Sequence, residues 1–162
     1  AIMACIIADT KVGWQAIAGT DTIKRHALGS IVRATDPIYG GGEFIYLKGV
    51  ANTVVGSWVT YLPDDYATAL IVPDVIGPVA VAMSANVADQ FGWYQIQGKA
   101  FAKAADVANN AKVYVDTDAG ICDDAVVAGD KVFNATWASD DDTATGLAEV
   151  ELARPFCTDE ST

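Results

Sequence analysis

What most constrains this chain is a series of short segments rich in β-branched and aromatic residues, each closed by a turn signal. They cover residues 30–34, 43–47, 57–62, 79–83, 93–97, 112–116 and 131–137, lengths and compositions that suit strands. An eighth, residues 146–152, alternates outright, with Leu147, Val150 and Leu152 set against Glu149 and Glu151. Between them lie Asp36-Pro37, Gly40-Gly41-Gly42, Pro63-Asp64-Asp65, Asp118-Ala119-Gly120, Gly129-Asp130 and Asp140-Asp141-Asp142, residue types that bend a chain. Seven or eight strands at this spacing predict an all-β fold, a compact β-sandwich or β-barrel, with a jelly-roll-like form among the options.

The flanks break the pattern. Residues 1–29 are moderately apolar without sustained alternation, which suggests an extended N-terminal arm or docking segment, or a first strand near residues 3–7. The β domain is then residues 30–157, and residues 158–162 form a polar, frayed C-terminal tail. Residues 100–111 are Ala-rich without a clean helical period and read as a loop or short helix. A shift of 54 positions superposes strand on strand and turn on turn: Val59 on Val113, Asp64 on Asp118, Val79 on Phe133, Met83 on Trp137 and Ile96 on Val150. A pseudo-duplicated β unit is one reading of this match, and the agreement that any two β segments show by pattern alone is the other.

Composition removes several functions. With 162 residues the chain is long enough for one full core. The net charge of −11 opposes contact with nucleic acid, whose binding depends on Lys and Arg displacing counterions, and with an anionic membrane. No apolar run approaches the roughly 20 residues of a membrane helix. No basic leader precedes Ile2, and the initial Ala resembles the residue left by start-Met removal, so synthesis in the cytoplasm is expected. Three cysteines at long spacing, Cys5, Cys122 and Cys157, form neither a disulfide framework nor a zinc knuckle and read as small buried thiols.

Catalytic signals are sparse. The single histidine, His26, sits beside Lys24 and Arg25 and reads as a surface residue of a small basic island. Paired carboxylates occur at Asp64-Asp65, Asp116 with Asp118, Asp123-Asp124 and Asp140–Asp142, all at turns that favour Asp for local reasons. A glycosidase using such a pair as Asp123 and Asp124 is the enzymatic rival. Residues 116–123 alternate oxygen ligands as a calcium loop does, but the fifth and twelfth places hold Gly120 and Val127, so the match fails. Gly40-Gly41-Gly42 lacks the Lys-Ser/Thr of a phosphate loop and reads as a turn. Of Trp14, Trp58, Trp93 and Trp137, three fall at core positions of predicted strands. A carbohydrate-stacking platform is their alternative use. No enzyme, cofactor or metal is expected.

Residues 28–37, 41–50, 91–100 and 146–156 resemble segments of the head decoration, or cement, proteins of tailed bacteriophages. The resemblance implies a virion structural protein on the capsid exterior that bridges major capsid subunits, self-associates as a dimer or trimer and carries no active site. Trp14 and Ile17 would then be apolar anchors of the arm. Lys24, Arg25 and Arg33 would offer the positive contacts to an acidic capsid patch. The rival from another class is a β-sandwich binding module for carbohydrate or a host surface.

Overall fold

The computed structural model describes residues 6–7 and 14–160, and within them every regular element is a strand. In chain order these are β1 (Ile6–Ile7), β2 (Thr20–Asp21), β3 (Ile31–Asp36), β4 (Gly40–Lys48), β5 (Trp58–Tyr61), β6 (Thr68–Leu70), β7 (Ile76–Ala82), β8 (Phe91–Lys103), β9 (Lys112–Val115), β10 (Cys122–Asp123), β11 (Lys131–Trp137) and β12 (Leu147–Thr158). Every ladder is antiparallel, and the assembly curls without closing into a barrel, which leaves the sandwich.

The ladders repeat. β4 pairs β8, β8 pairs β7, β7 pairs β5 and β5 pairs β6. Further on, β8 pairs β12, β12 pairs β11, β11 pairs β9 and β9 pairs β10. The chain thus builds the same five-strand arrangement twice, with β8 closing the first unit and opening the second. Individual partners map across: Tyr61↔Thr68 onto Val115↔Cys122, Trp58↔Val81 onto Lys112↔Thr136, and Tyr46↔Trp93 onto Phe101↔Glu149. Left-handed residues recur in step, Asn52 with Asp106, Gly56 with Asn110, and Tyr66 with Gly120, each pair 54 apart (106 − 52, 110 − 56, 120 − 66). The Gly56 N–H donates to the Ala82 carbonyl (2.8 Å) as the Asn110 N–H donates to that of Trp137 (2.9 Å).

A uniform shift of 54 is right for β5 onto β9 but slips by one for β7 (Val81 to Thr136, 136 − 81 = 55) and by two for β8 (Trp93 to Glu149, 149 − 93 = 56). β11 is irregular between Val132 and Thr136, and before that point the ladders set Val79, opposite Thr60, on Lys131, opposite Tyr114, so the superposition of Val79 on Phe133 is corrected to Val79 on Lys131.

The units stack. The first encloses Ile45, Leu47, Val59, Ala80, Ala82, Tyr94 and Ile96 in its concave side. Its convex side sends Trp58, Ile71, Val79 and Val81 into the concave side of the second, among Ala100, Ala102, Val113, Val150 and Trp137. Alanines on β8 leave room for the Trp58 ring, which meets Trp137 edge-on at 5.9 Å. Both buried indole N–H groups find carbonyls, Trp58 at Lys103 and Trp137 at Asp123, each 3.0 Å away. Satisfying these donors avoids a desolvation penalty of about 1–3 kcal/mol apiece.

Long strands let this happen. β8 shifts register against β4 between Gln95 and Gln97 and continues through the left-handed Gly98 (φ 92) onto β12, and β12 turns at Arg154 (φ 55), leaving β8 for β7. A Cβ on Gly98 would lie 2.5 Å from the Gly41 carbonyl oxygen, and one on Gly42 would lie 2.8 Å from both Gln95 Nε2 and the Gln97 carbonyl. Gly41 and Gly42 therefore belong to strand β4 at a tight crossing and are not a turn, although Gly40 has the left-handed φ of 86. The Ala-rich stretch splits: residues 100–103 continue β8 because β12 supplies partners, and the rest is turns without helix.

The remaining convex surface of the first unit is covered by the N-terminal segment. Ile17 is 4% exposed and packs with Val32, Ala34, Phe44, Tyr46 and Trp93, with Trp14 and Leu28 against them. β1 pairs β3 and β2 pairs β8, so strand pairing begins well before residue 30. Over residues 14–29 the expected extended arm is instead a strap folded onto its own sheet, because these apolar side chains find a large apolar face within the same chain. At the other end, Thr158 is the last residue of β12, paired with Ile76, and not part of a frayed tail. Cys122 and Cys157 are buried free thiols, while Cys5 lies outside the described residues.

Candidate docking surface

On β3 burial alternates, placing Val32 and Ala34 inward and Arg33 outward. Glu43 stands opposite Arg33 in the β3–β4 ladder, and Gln97 stands opposite Glu43 in the β4–β8 ladder. Ala153 of β12 then faces Gln97, which brings the following residue, Arg154, to the same place. The Glu43 carboxylate accepts a hydrogen bond from Arg154 Nη2 at 2.7 Å and lies 3.4 Å from Arg33 Nε. Its side chain is 14% exposed, whereas those of Arg33 and Arg154 are 80% and 59% exposed.

Two guanidiniums thus share one sheltered carboxylate and present an uncompensated positive charge to solvent. Beside them a shallow cleft of about 300 Å³ is lined by Arg33, Ala34, Thr35, Gly41, Gly42, Glu43 and Gln97. Gly41 and Gly42 leave backbone open along this cleft, and Arg33 is the cationic group in its lining. Strands β3, β4, β8 and β12 all contribute to this locus.

Of the other expected contacts, Trp14, Ile17 and Arg25 meet partners within the chain. Trp14 packs at a tilt against His26 at 4.5 Å and Trp93 at 5.5 Å, and Ile17 is buried, so both hold the strap to its own sheet. Arg25 Nε lies 2.6 Å from Asp21 Oδ2, an ion pair separate from that of Arg33 with Glu43. The Ile23 N–H and then Arg25 hold the Asp21 carboxyl below its usual range. Lys24 is exposed on the same turn. Arg154 was not singled out in the sequence; its only local signal is its place in the Ala-Arg-Pro-Phe end of residues 146–156.

His26 is half-buried among aromatic rings, which corrects its placement on the surface. Trp58, Trp93 and Trp137 are fully buried and form no sugar-stacking platform. The acidic turns serve the backbone: Asp124, Asp140 and Asp141 accept from the N–H groups of Ala108, Asn109 and Val107, pinning the loop after β8. Asp116 accepts from the Asp118 N–H at 2.7 Å. Burial first, then Asp116, pushes the Asp123 carboxyl up to about 6. Among the described residues, no three His, Cys, Asp or Glu side chains are placed to hold a metal, and no helix is long and apolar enough to cross a membrane.

Fold and surface together define an all-β sandwich of two stacked units with a cationic locus at Arg33, Glu43 and Arg154. No protein-family model, curated protein or solved structure matches the chain.

Proposed function

We propose that this chain is a virion structural protein that decorates the outer surface of an assembled phage head and cements neighbouring major capsid subunits, acting as a dimer or trimer. The observation that carries the reading is the meeting of the four resembling segments at the Arg33–Glu43–Arg154 locus. In a chain of net charge −11, a shared cationic site is an economical way to recognise an acidic capsid patch while the rest of the surface repels other virions.

Cementing acts by mass action: a protein that binds the assembled shell and not its separated subunits stabilises the shell at every occupied seam. A specific seam contact buries on the order of 1,000 Å² or more. Such a role suits a stiff sandwich, which loses little conformational entropy on docking.

The test is co-sedimentation of the purified chain with undecorated heads of the phage that encodes it. Wild type pellets with heads at micromolar concentration, and the double substitution Arg33→Glu, Arg154→Glu lowers occupancy by about tenfold or more, as expected for reversed charge at a close contact. Wild-type protein that stays in the supernatant overturns the reading.

A further inference from the structure

We propose that His26 is an acid-sensitive latch: protonation of its ring loosens residues 14–28 from the convex face of the first unit and uncovers the Phe44, Tyr46 and Trp93 side chains. The inference is independent of the capsid reading.

The latch centres on Gln15, which the chain ties down at nearly every polar atom. Its side-chain amide donates to the carbonyls of Gly19 (2.8 Å) and Phe91 (3.1 Å). Its side-chain oxygen accepts from the Tyr46 hydroxyl (2.8 Å), and its backbone carbonyl accepts from Trp93 Nε1 (3.0 Å). Its backbone N–H donates to His26 Nε2 at 3.0 Å. That last bond requires an unprotonated Nε2. Protonation turns the acceptor into a donor, so two N–H groups confront each other at hydrogen-bond distance. Neither can move freely, since the imidazole is wedged between Trp14, Tyr46 and Trp93, with ring centroids 4.5, 5.0 and 5.6 Å away.

Charges around the ring act in the same direction. Arg25, next in the chain, disfavours a second cation, although Asp21 on β2 offsets part of its charge through their ion pair, and Lys24 on the same turn is exposed. β4 contributes the neutral Tyr46 hydroxyl, which also accepts from the Arg25 N–H at 3.3 Å, and β8 contributes only the Trp93 ring. Attraction of an imidazolium to the aromatic faces opposes release, but the tilted rings do not replace the lost acceptor. Burial first, then Arg25, holds the His26 pKa below its ordinary 6.5. A folded-state pKa below the unfolded one means that the closed strap binds fewer protons. Its stability is fully present above pH 6.5 and declines as the pH falls from there toward the folded-state pKa.

His26 is the only histidine in the chain, so its ring signals in an NMR titration of the full-length protein are unambiguous. The expected result is a midpoint below 6.5, with the protection factors of the Gln15 amide and the Trp93 indole N–H falling by about threefold or more between pH 7.5 and 5, as local opening grows. His26→Gln, which keeps a neutral acceptor, should remove that pH dependence. A midpoint at or above 6.5, or protection that does not change across the wild-type titration, overturns the proposal. If the variant folds, an unchanged pH dependence in it does so as well.

Discussion

The two units share a backbone plan and differ in what covers their convex faces. In the first, ladder neighbours on that face are Tyr46 with Trp93 and Trp58 with Val81; at the matching places in the second they are Phe101 with Glu149 and Lys112 with Thr136. Phe44 likewise gives way to Lys99, whose ammonium pairs with Glu149 at 3.0 Å. The first face is buried under the second unit and the strap, and the second faces water. Strand pairing is therefore carried by turns, bulges and the apolar concave sides common to both units. The convex residues decide which unit is inner and which ends the stack, as polar outer faces end repeat arrays.

The strongest way to break this asymmetry is at Trp58. It has no exposed surface and fills the second unit's concave side, so Trp58→Ala should destabilise the protein by about 3–5 kcal/mol. Its counterpart Lys112 is exposed, and Lys112→Ala should change stability by no more than about 0.5 kcal/mol. Denaturant unfolding of both variants checks the contrast. Similar losses at the two positions would show that the units do not stack as inner and outer layers.

The sequence made some of this plain and hid the rest for identifiable reasons. β5, β9 and β11 were legible because β-branched and aromatic residues stand between clear turn signals. β2, β6 and β10 were not, since elements of two or three residues are defined by partners and carry no period of their own. The duplication showed through at the level of elements, but one- and two-residue slips hid which faces correspond. Trp14 and Ile17 stood out as apolar residues in an aperiodic segment; what they cover, a face built from residues 32–93, is a tertiary fact. At the Arg33–Glu43–Arg154 locus Arg33 was readable as a rare cation. Its connection to Arg154 runs through Glu43, a contact spanning 111 residues that only the ladder registers create.

A second comparison sets the two strand switches against each other. Gly98 and Arg154 occupy matching places (154 − 98 = 56), both with positive φ, yet only Gly98 lies where a Cβ meets backbone, 2.5 Å from the Gly41 carbonyl oxygen. Gly98→Ala should therefore cost about 2 kcal/mol or more, through left-handed strain and the forced separation of β4 from β8. Arg154→Gly relieves a left-handed side chain while losing the Glu43 bond, and should fall within about 1 kcal/mol of wild type. Thermal unfolding measures both. A tolerated Gly98→Ala would mean that the β4–β8 crossing can relax, and the requirement for glycine there would be lost.

The smallest expected effect sharpens the comparison by pH. In the β5–β6 and β9–β10 hairpins, Ala69 and Asp123 hold matching places (123 − 69 = 54), so only the second unit has an ionisable group there. Burial and the neighbouring Asp116 raise the Asp123 carboxyl to about 6 from an ordinary 3.8. The folded state thus binds more protons than the unfolded state between those values. Stability contributed by the neutral acid is present below pH 3.8, declines as the pH rises toward 6, and is absent above it. Asp123→Asn retains an acceptor for the Ala125 N–H, now 3.2 Å from Asp123 Oδ1, and removes the cost of ionisation. The variant should be more stable than wild type at pH 7.5, by about 1 kcal/mol or less given the solvent screening of a partly exposed group. The difference should vanish near pH 4. Unfolding at the two pH values decides: an equal effect at both would mean that the second unit gains no proton linkage from the one acidic residue that separates these hairpins at this place.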